Sequence, residues 1–209
     1  MAENPGDEIK ILVLGMPRTG TQSLADALGQ LGLGPIYHMR EVARNKHQTK
    51  WIAALEAKFE GKGSPFGRSE FASFLGGFVL IGAFPNAKII LTVRDEDKWF
   101  DSMMATLWHW WSAPDRPRNT SMRSMADKYH LHLWRNDFPT SGKESYRKHN
   151  SHVREIASVD NLLVYDVREG WGPLCAFLGL EAPTTPFPRS DDWLEYKQAH
   201  GTGKVNQSV

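Results

Sequence analysis

A chain of 209 residues, 41% hydrophobic and 23% charged, is long enough to bury a real core and has the composition of an ordinary soluble globular domain. Its net charge of +1 supplies no broad basic field, which argues against nucleic acid or an anionic membrane as partner and makes any anion site local. The one cysteine, Cys175, excludes an intramolecular disulfide and fits a reducing compartment.

The N-terminal MAENPGDEIK is too acidic and polar for a secretory signal. Residues 9–15 then form a short apolar run ending at Gly15, the pattern of a strand buried on both faces. Gly20 follows at the spacing of a phosphate-binding loop, and Leu24, Ala27, Leu28 and Leu31 recur at helical spacing until GLG at 32–34 stops them. Helical patterns follow over about 40–59 and 69–83; the second contains the longest apolar stretch, FLGGFVLIGAF, too short and glycine-rich to cross a bilayer. AKIILTV, 87–93, reads as another buried strand, after which Asp95 is placed to cap a helix carrying Trp99, Met103 and Leu107 on one face.

Residues 112–140 are the least periodic, opening with the loop SAPDRPRNTS and continuing as either a helix or a lid. A helix is predicted over 142–157, then the strand NLLVYDV. A helix follows with Trp171, Leu174, Phe177 and Leu178 on one face, and a loose polar tail begins at about 198. Strands alternating with helices, without internal repeats or a linker, predict a single α/β domain with a mostly parallel sheet, soluble and cytoplasmic. Oligomeric state is not legible.

The first strand–loop–helix junction carries the chemistry. Unpaired N–H groups at a helix N-terminus attract an anion; Gly20 allows close approach, Thr19, Thr21 and Ser23 add hydroxyls, and Arg18 adds a forked cation. A nucleotide triphosphatase would show Lys and then Ser or Thr where Thr21 and Gln22 stand. The alternative is a plain glycine turn.

GMPRTGTQSL resembles the 5′-phosphosulfate loop of sulfotransferases, usually Pro-Lys-Ser/Thr-Gly-Thr, and LTVRDEDKWFDSM resembles their 3′-phosphate element, with Arg94 and Ser102 at its spacing of eight. GPIYHM, FPNAKIILTVRDEDKWFDS and GWGPLCAFLGLEAPTTPFPR are closer still to a divergent sulfotransferase-like P-loop family common in fungi and microbes. The resemblance covers nearly the whole chain. It implies a P-loop-type three-layer α/β fold with a central parallel sheet flanked by helices. The implied co-substrate is 3′-phosphoadenosine 5′-phosphosulfate (PAPS), with no metal. Pro17, Arg18, Thr19, Gly20, Thr21, Gln22 and Ser23 would bind its 5′ end, and Arg94 with Ser102 its 3′-phosphate. Arg18 replaces the family's lysine, so proton donation to the leaving group would need another residue.

Transfer to an alcohol or phenol needs a base, for which His38, Glu41 and Glu70 are the candidates. His38 follows GPIY, and Glu41 lies three residues on; Glu70 stands in a degraded Asp-x-Pro position, with Ala72 for the proline. The plain readings are a half-buried histidine bonding a carbonyl for His38 and a first-turn helix carboxylate for Glu41. Trp108, Trp110 and Trp111 suggest either packing or an apolar acceptor pocket. His130, His132, His149 and His152 lack zinc spacing, and Arg154 and Arg189 are surface arginines or further phosphate contacts. Three other functions stay open: a dehydratase or cyclase on the same fold, an NTP-dependent phosphotransferase or hydrolase, and a non-catalytic nucleotide-binding protein.

Overall fold

The computed structural model describes residues 10–67, 86–115 and 118–200. The helix expected at 69–83, and Glu70 with it, lies outside them. Three parallel strands, β1 (Ile11–Val13), β2 (Lys88–Thr92) and β3 (Leu162–Tyr165), stand in the order β1-β2-β3. Leu12 is registered with Ile89, and Ile90 with Leu163.

Helices α1 (Thr21–Gln30), α2 (Met39–Arg44) and α3 (Gln48–Glu60) follow β1. After β2 come α4 (Glu96–Met103), a π-helical turn at Met104–Trp108 and α5 (His109–Ser112). Then come α6 (Ser121–Trp134) and α7 (Phe138–Ile156); β3 is followed by α8 (Trp171–Leu178) and, at the end of the described chain, α9 (Leu194–Ala199).

Side-chain alternation along β2 sorts the layers. Ile90 packs with Leu24 and Leu28 of α1, Tyr165, and Trp171 and Leu174 of α8. Ile89 and Leu91 turn the other way, onto Val153 of α7. The fold is therefore an α/β arrangement with helices on both faces of a parallel sheet. A second apolar body, Met16, Trp99, Met103, Trp134, Phe138 and Tyr146, joins the loop after β1 to α4, α6 and α7.

Two elements differ from the sequence expectation. The helical pattern over 40–59 is two helices, broken at Asn45–His47 where Lys46 turns left-handed at φ 56°; no proline or glycine marks the break. The unreadable 112–140 stretch contains α6, capped by the Thr120 side chain accepting from Arg123 N, and the next helix starts at Phe138, four residues before the expected 142. The expected cap at Asp95 is present, its carboxylate accepting from Lys98 N at 3.0 Å. No helix among the described residues is long and apolar enough to cross a membrane.

Candidate active site

The loops after the three strands interlock at the carboxyl end of the sheet, where open α/β folds place ligands. Gly15 lets the first loop lie against β2: a Cβ there would fall 1.6 Å from Thr92 Oγ1. Gly20, at φ 91°, packs beneath Val167 from the third loop, whose Cγ2 would be 2.5 Å from an added Cβ. Both glycines are steric requirements of a tight junction.

Thr19 is 1% exposed, and its hydroxyl points inward, donating to Met16 O at 2.5 Å and pairing with Thr92 Oγ1 at 2.7 Å. Its backbone N–H also goes to Met16 O, at 3.3 Å. Thr19 therefore shapes the loop from inside; the hydroxyl donor expected of it is already used. Pro17 O accepts from Trp99 Nε1 at 2.9 Å, pinning the loop to the aromatic body. The loop runs into α1 with no capping side chain at Gly20, so first-turn N–H groups remain for an anion.

Arg18 adopts φ 69°, a region non-glycine residues rarely occupy and that collects at functional sites. Its Nε donates to Ser102 Oγ at 3.1 Å and its Nη2 to Asp191 Oδ1 at 3.0 Å. Arg94 approaches from the end of β2, its Nη1 donating to Arg18 O at 3.3 Å. Tyr146 OH fixes the backbone of Arg94, accepting from its N and donating to its O, both at 2.9 Å. Burial, then the charges of Arg18 and Arg168, lowers the Arg94 pKa; a guanidinium remains cationic even so. Arg18, Arg94 and Ser102 thus meet, but Ser102 bonds to Arg18 and not to Arg94.

His38 precedes α2, with Nε2 3.3 Å from Thr21 Oγ1 and with Nδ1 buried and without a partner. Burial, followed by the charge of Arg40, lowers its pKa, so the neutral ring prevails near pH 7. Glu41 serves the helix start: Oε2 accepts from His38 N at 3.0 Å and Oε1 from Arg44 Nη1 at 3.2 Å. This is the first-turn carboxylate reading.

A strap from Ser190 into α9 crosses the junction. Ser190 N donates to Ser23 Oγ at 3.0 Å and Asp192 N to Gln22 Oε1 at 3.1 Å. Gln22 and Ser23 therefore hold the strap, and Gln22 Nε2 is buried without a partner. Arg40 binds Asp26 at 2.8 Å and Asp192 at 2.9 Å. None of the strap residues, nor Tyr146, was singled out from sequence; their partners are up to 173 positions away, and no local pattern marks such contacts.

Of the other histidines that the sequence raised, all but His152 have structural partners. His130 accepts from Trp134 Nε1 at 2.6 Å, stacks on Trp111, and is held neutral by burial and Arg123, its pKa lowered to about 3. His132 contacts Glu60, His149 donates to Leu14 O at 2.6 Å, and His152 is exposed. Among the described residues no group of three or more His, Cys, Asp or Glu could hold a metal. Trp108 and Trp111 pack together, ring centroids 5.1 Å apart, beside Arg123, while Arg154 and Arg189 are exposed.

The family model described as "Sulfotransferase domain" matches residues 10–196. The chain is also 36% identical to "Ava biosynthesis cluster protein M" from Aspergillus versicolor, over 86% of this chain and 80% of that protein.

Proposed function

The chain belongs to the sulfotransferase domain family, and we propose that it transfers the sulfuryl group of PAPS to a hydroxyl of a small-molecule alcohol or phenol. The observation that carries this reading is the meeting of two guanidiniums at one glycine loop, Arg18 within it and Arg94 bonded to its backbone at 3.3 Å. A donor with phosphates at both its 3′ and 5′ positions matches two such cations and the unpaired N–H groups of α1. When bound, that donor supplies a sulfuryl group already activated by a phosphate leaving group.

The chain's residues then divide the work. Arg18 faces the charge that develops on the leaving side. His38, whose pKa burial lowers so that the ring is neutral near pH 7, lies within reach of Thr21 at 3.3 Å and takes the hydroxyl proton. Glu41 ranks behind it because both its oxygens already accept bonds. The name of the Aspergillus relative places that protein in a biosynthesis cluster, which agrees with a small-molecule acceptor here.

Calorimetry tests the reading first. Adenosine 3′,5′-bisphosphate should bind more tightly than adenosine 5′-monophosphate, and labelled PAPS should then transfer its label in an acceptor screen. Equal affinity for the two nucleotides would remove the case for PAPS. Turnover of ATP with Mg²⁺ would move the assignment to a phosphotransferase.

A further inference from the structure

The loop offers an arginine where the sulfotransferase loops it resembles usually carry a lysine, and a guanidinium gives up no proton near neutrality. An ammonium nevertheless reaches this corner from α9. Lys197 Nζ donates to Asp191 Oδ2 at 2.5 Å while Arg18 Nη2 donates to Asp191 Oδ1 at 3.0 Å. One carboxylate bridges the two cations, an oxygen to each.

The side chains are 13% (Arg18), 31% (Asp191) and 19% (Lys197) exposed, so the cluster is partly withdrawn from water. Burial opposes the charge on Asp191, but the Lys197 bond and the Arg18 charge outweigh it, and its pKa lies below the ordinary carboxylate range. The spot between Arg18 and Lys197 is therefore fitted to an oxyanion. Asp191 is the protein's own oxyanion there.

We propose, building on the donor reading above, that Lys197 completes the 5′ end of the donor site, and that the donor's 5′-phosphate replaces the Asp191 carboxylate between Arg18 and Lys197. Exchanging one oxyanion for another keeps both cations paired. In the transfer, the bond from sulfur to the 5′-phosphate oxygen breaks as the bond from sulfur to the acceptor oxygen forms. His38 takes the acceptor's proton. The electron pair left on the phosphate oxygen is held by Arg18 and by the ammonium of Lys197, which also has a proton to share.

Two variants of opposite sign test this by calorimetry on the full chain. Lys197→Met should weaken adenosine 3′,5′-bisphosphate about tenfold or more and leave adenosine 3′-monophosphate, which lacks the 5′-phosphate, unchanged. Asp191→Asn should strengthen the bisphosphate, because the internal competitor is gone. Lys197→Cys treated with 2-bromoethylamine restores an ammonium and should restore affinity and turnover; Cys175 is buried, and treated wild type is the control. Thermal midpoints separate a misfolded variant from a silent one, and the Asp191→Asn arm stands even if Lys197→Met fails to fold.

If wild type binds the bisphosphate while Lys197→Met alters both nucleotides equally or neither, Lys197 only ties α9 to the loop and this proposal alone is lost. Weaker bisphosphate binding by Asp191→Asn would overturn it as well. If wild type does not distinguish the bisphosphate from adenosine 5′-monophosphate, the donor reading falls and takes this one with it.

Discussion

At the strand ends the protein holds Arg18 in left-handed backbone and leaves Gln22 Nε2 and His38 Nδ1 buried without partners. Directly behind, Trp99, Trp134, Phe138 and Tyr146 are at most 4% exposed, and their polar atoms are paired with Pro17 O, His130 Nδ1 and the Arg94 backbone. The two regions touch through Trp99 and Tyr146. The aromatic body has exceptions of its own, Tyr129 OH buried without a partner and Arg135 and Asn136 in left-handed backbone, but only in the corner does the left-handed residue put a cation beside a glycine loop. That contrast separates what binds from what stabilises. Mutations in the corner should change chemistry at constant stability, and those in the aromatic body should do the reverse.

The largest activity effect should come from His38→Ala, a loss of about 10²- to 10⁴-fold in turnover with little change in bisphosphate affinity. Its pH dependence carries a sign. The lowered pKa of His38 keeps the base form at pH values where an ordinary histidine, near 6.5, is already protonated. Turnover should therefore hold steady through neutrality and fall only as pH drops below 6.5; an inflection above that value would assign the base elsewhere. The matching blow to the aromatic body is Phe138→Ala. Phe138 is fully buried against Trp99 and Trp134, with ring centroids at 5.5 Å and 5.0 Å. Its loss should cost about 3–5 kcal/mol in denaturant unfolding.

Arg18→Ala follows, with turnover falling about 10²- to 10³-fold, or about 2.7–4 kcal/mol, at an unchanged melting temperature. A melting temperature that dropped with activity would make Arg18 a structural turn residue and dissolve the contrast. Arg94→Ala is next. It should weaken adenosine 3′,5′-bisphosphate by roughly ten- to a hundredfold, since bonds to charged groups contribute about 1.5–3 kcal/mol, while adenosine 5′-monophosphate binding scarcely moves. Equal weakening of both nucleotides would assign Arg94 to loop support through its bond to Arg18 O.

Much of the corner was legible because its signals are local. Gly15, Arg18 and Gly20 stand together after an apolar run, Arg94 closes a second run, and Asp95 caps the helix that follows. The strand–helix alternation predicted the parallel sheet for the same reason. The strap was not legible: Asp191 lies 173 positions from Arg18, and an Asp-Asp pair in a polar segment looks like any solvated turn. Nor was the role of Thr19, since a threonine in a glycine loop reads as a ligand donor until Thr92 is seen opposite it at 2.7 Å. Lys46, exposed and left-handed, ends a helix without a glycine: the turn is closed by backbone bonds from Lys46 N to Ala43 O and from His47 N to Val42 O, which no residue type in the sequence marks.

The smallest expected effect separates two roles for one hydroxyl. The sulfotransferase resemblance pairs Ser102 with Arg94 around a 3′-phosphate, whereas in the structure Ser102 Oγ accepts from Arg18 Nε at 3.1 Å. The position of Ser102 is itself fixed, because its carbonyl accepts from Thr106 Oγ1 at 2.5 Å at the start of the π-helical turn. A hydroxyl held in this way steers the Arg18 guanidinium, which also bonds Asp191 on its other side. Removing it takes away one hydrogen bond of about 0.5–1.5 kcal/mol, so Ser102→Ala should lower turnover only about two- to tenfold. With Arg18 at the 5′ side, as proposed, the preference for adenosine 3′,5′-bisphosphate over adenosine 5′-monophosphate should survive intact. If that preference collapses while turnover holds, Ser102 belongs to the 3′-phosphate after all, and its bond to Arg18 must give way when the nucleotide arrives.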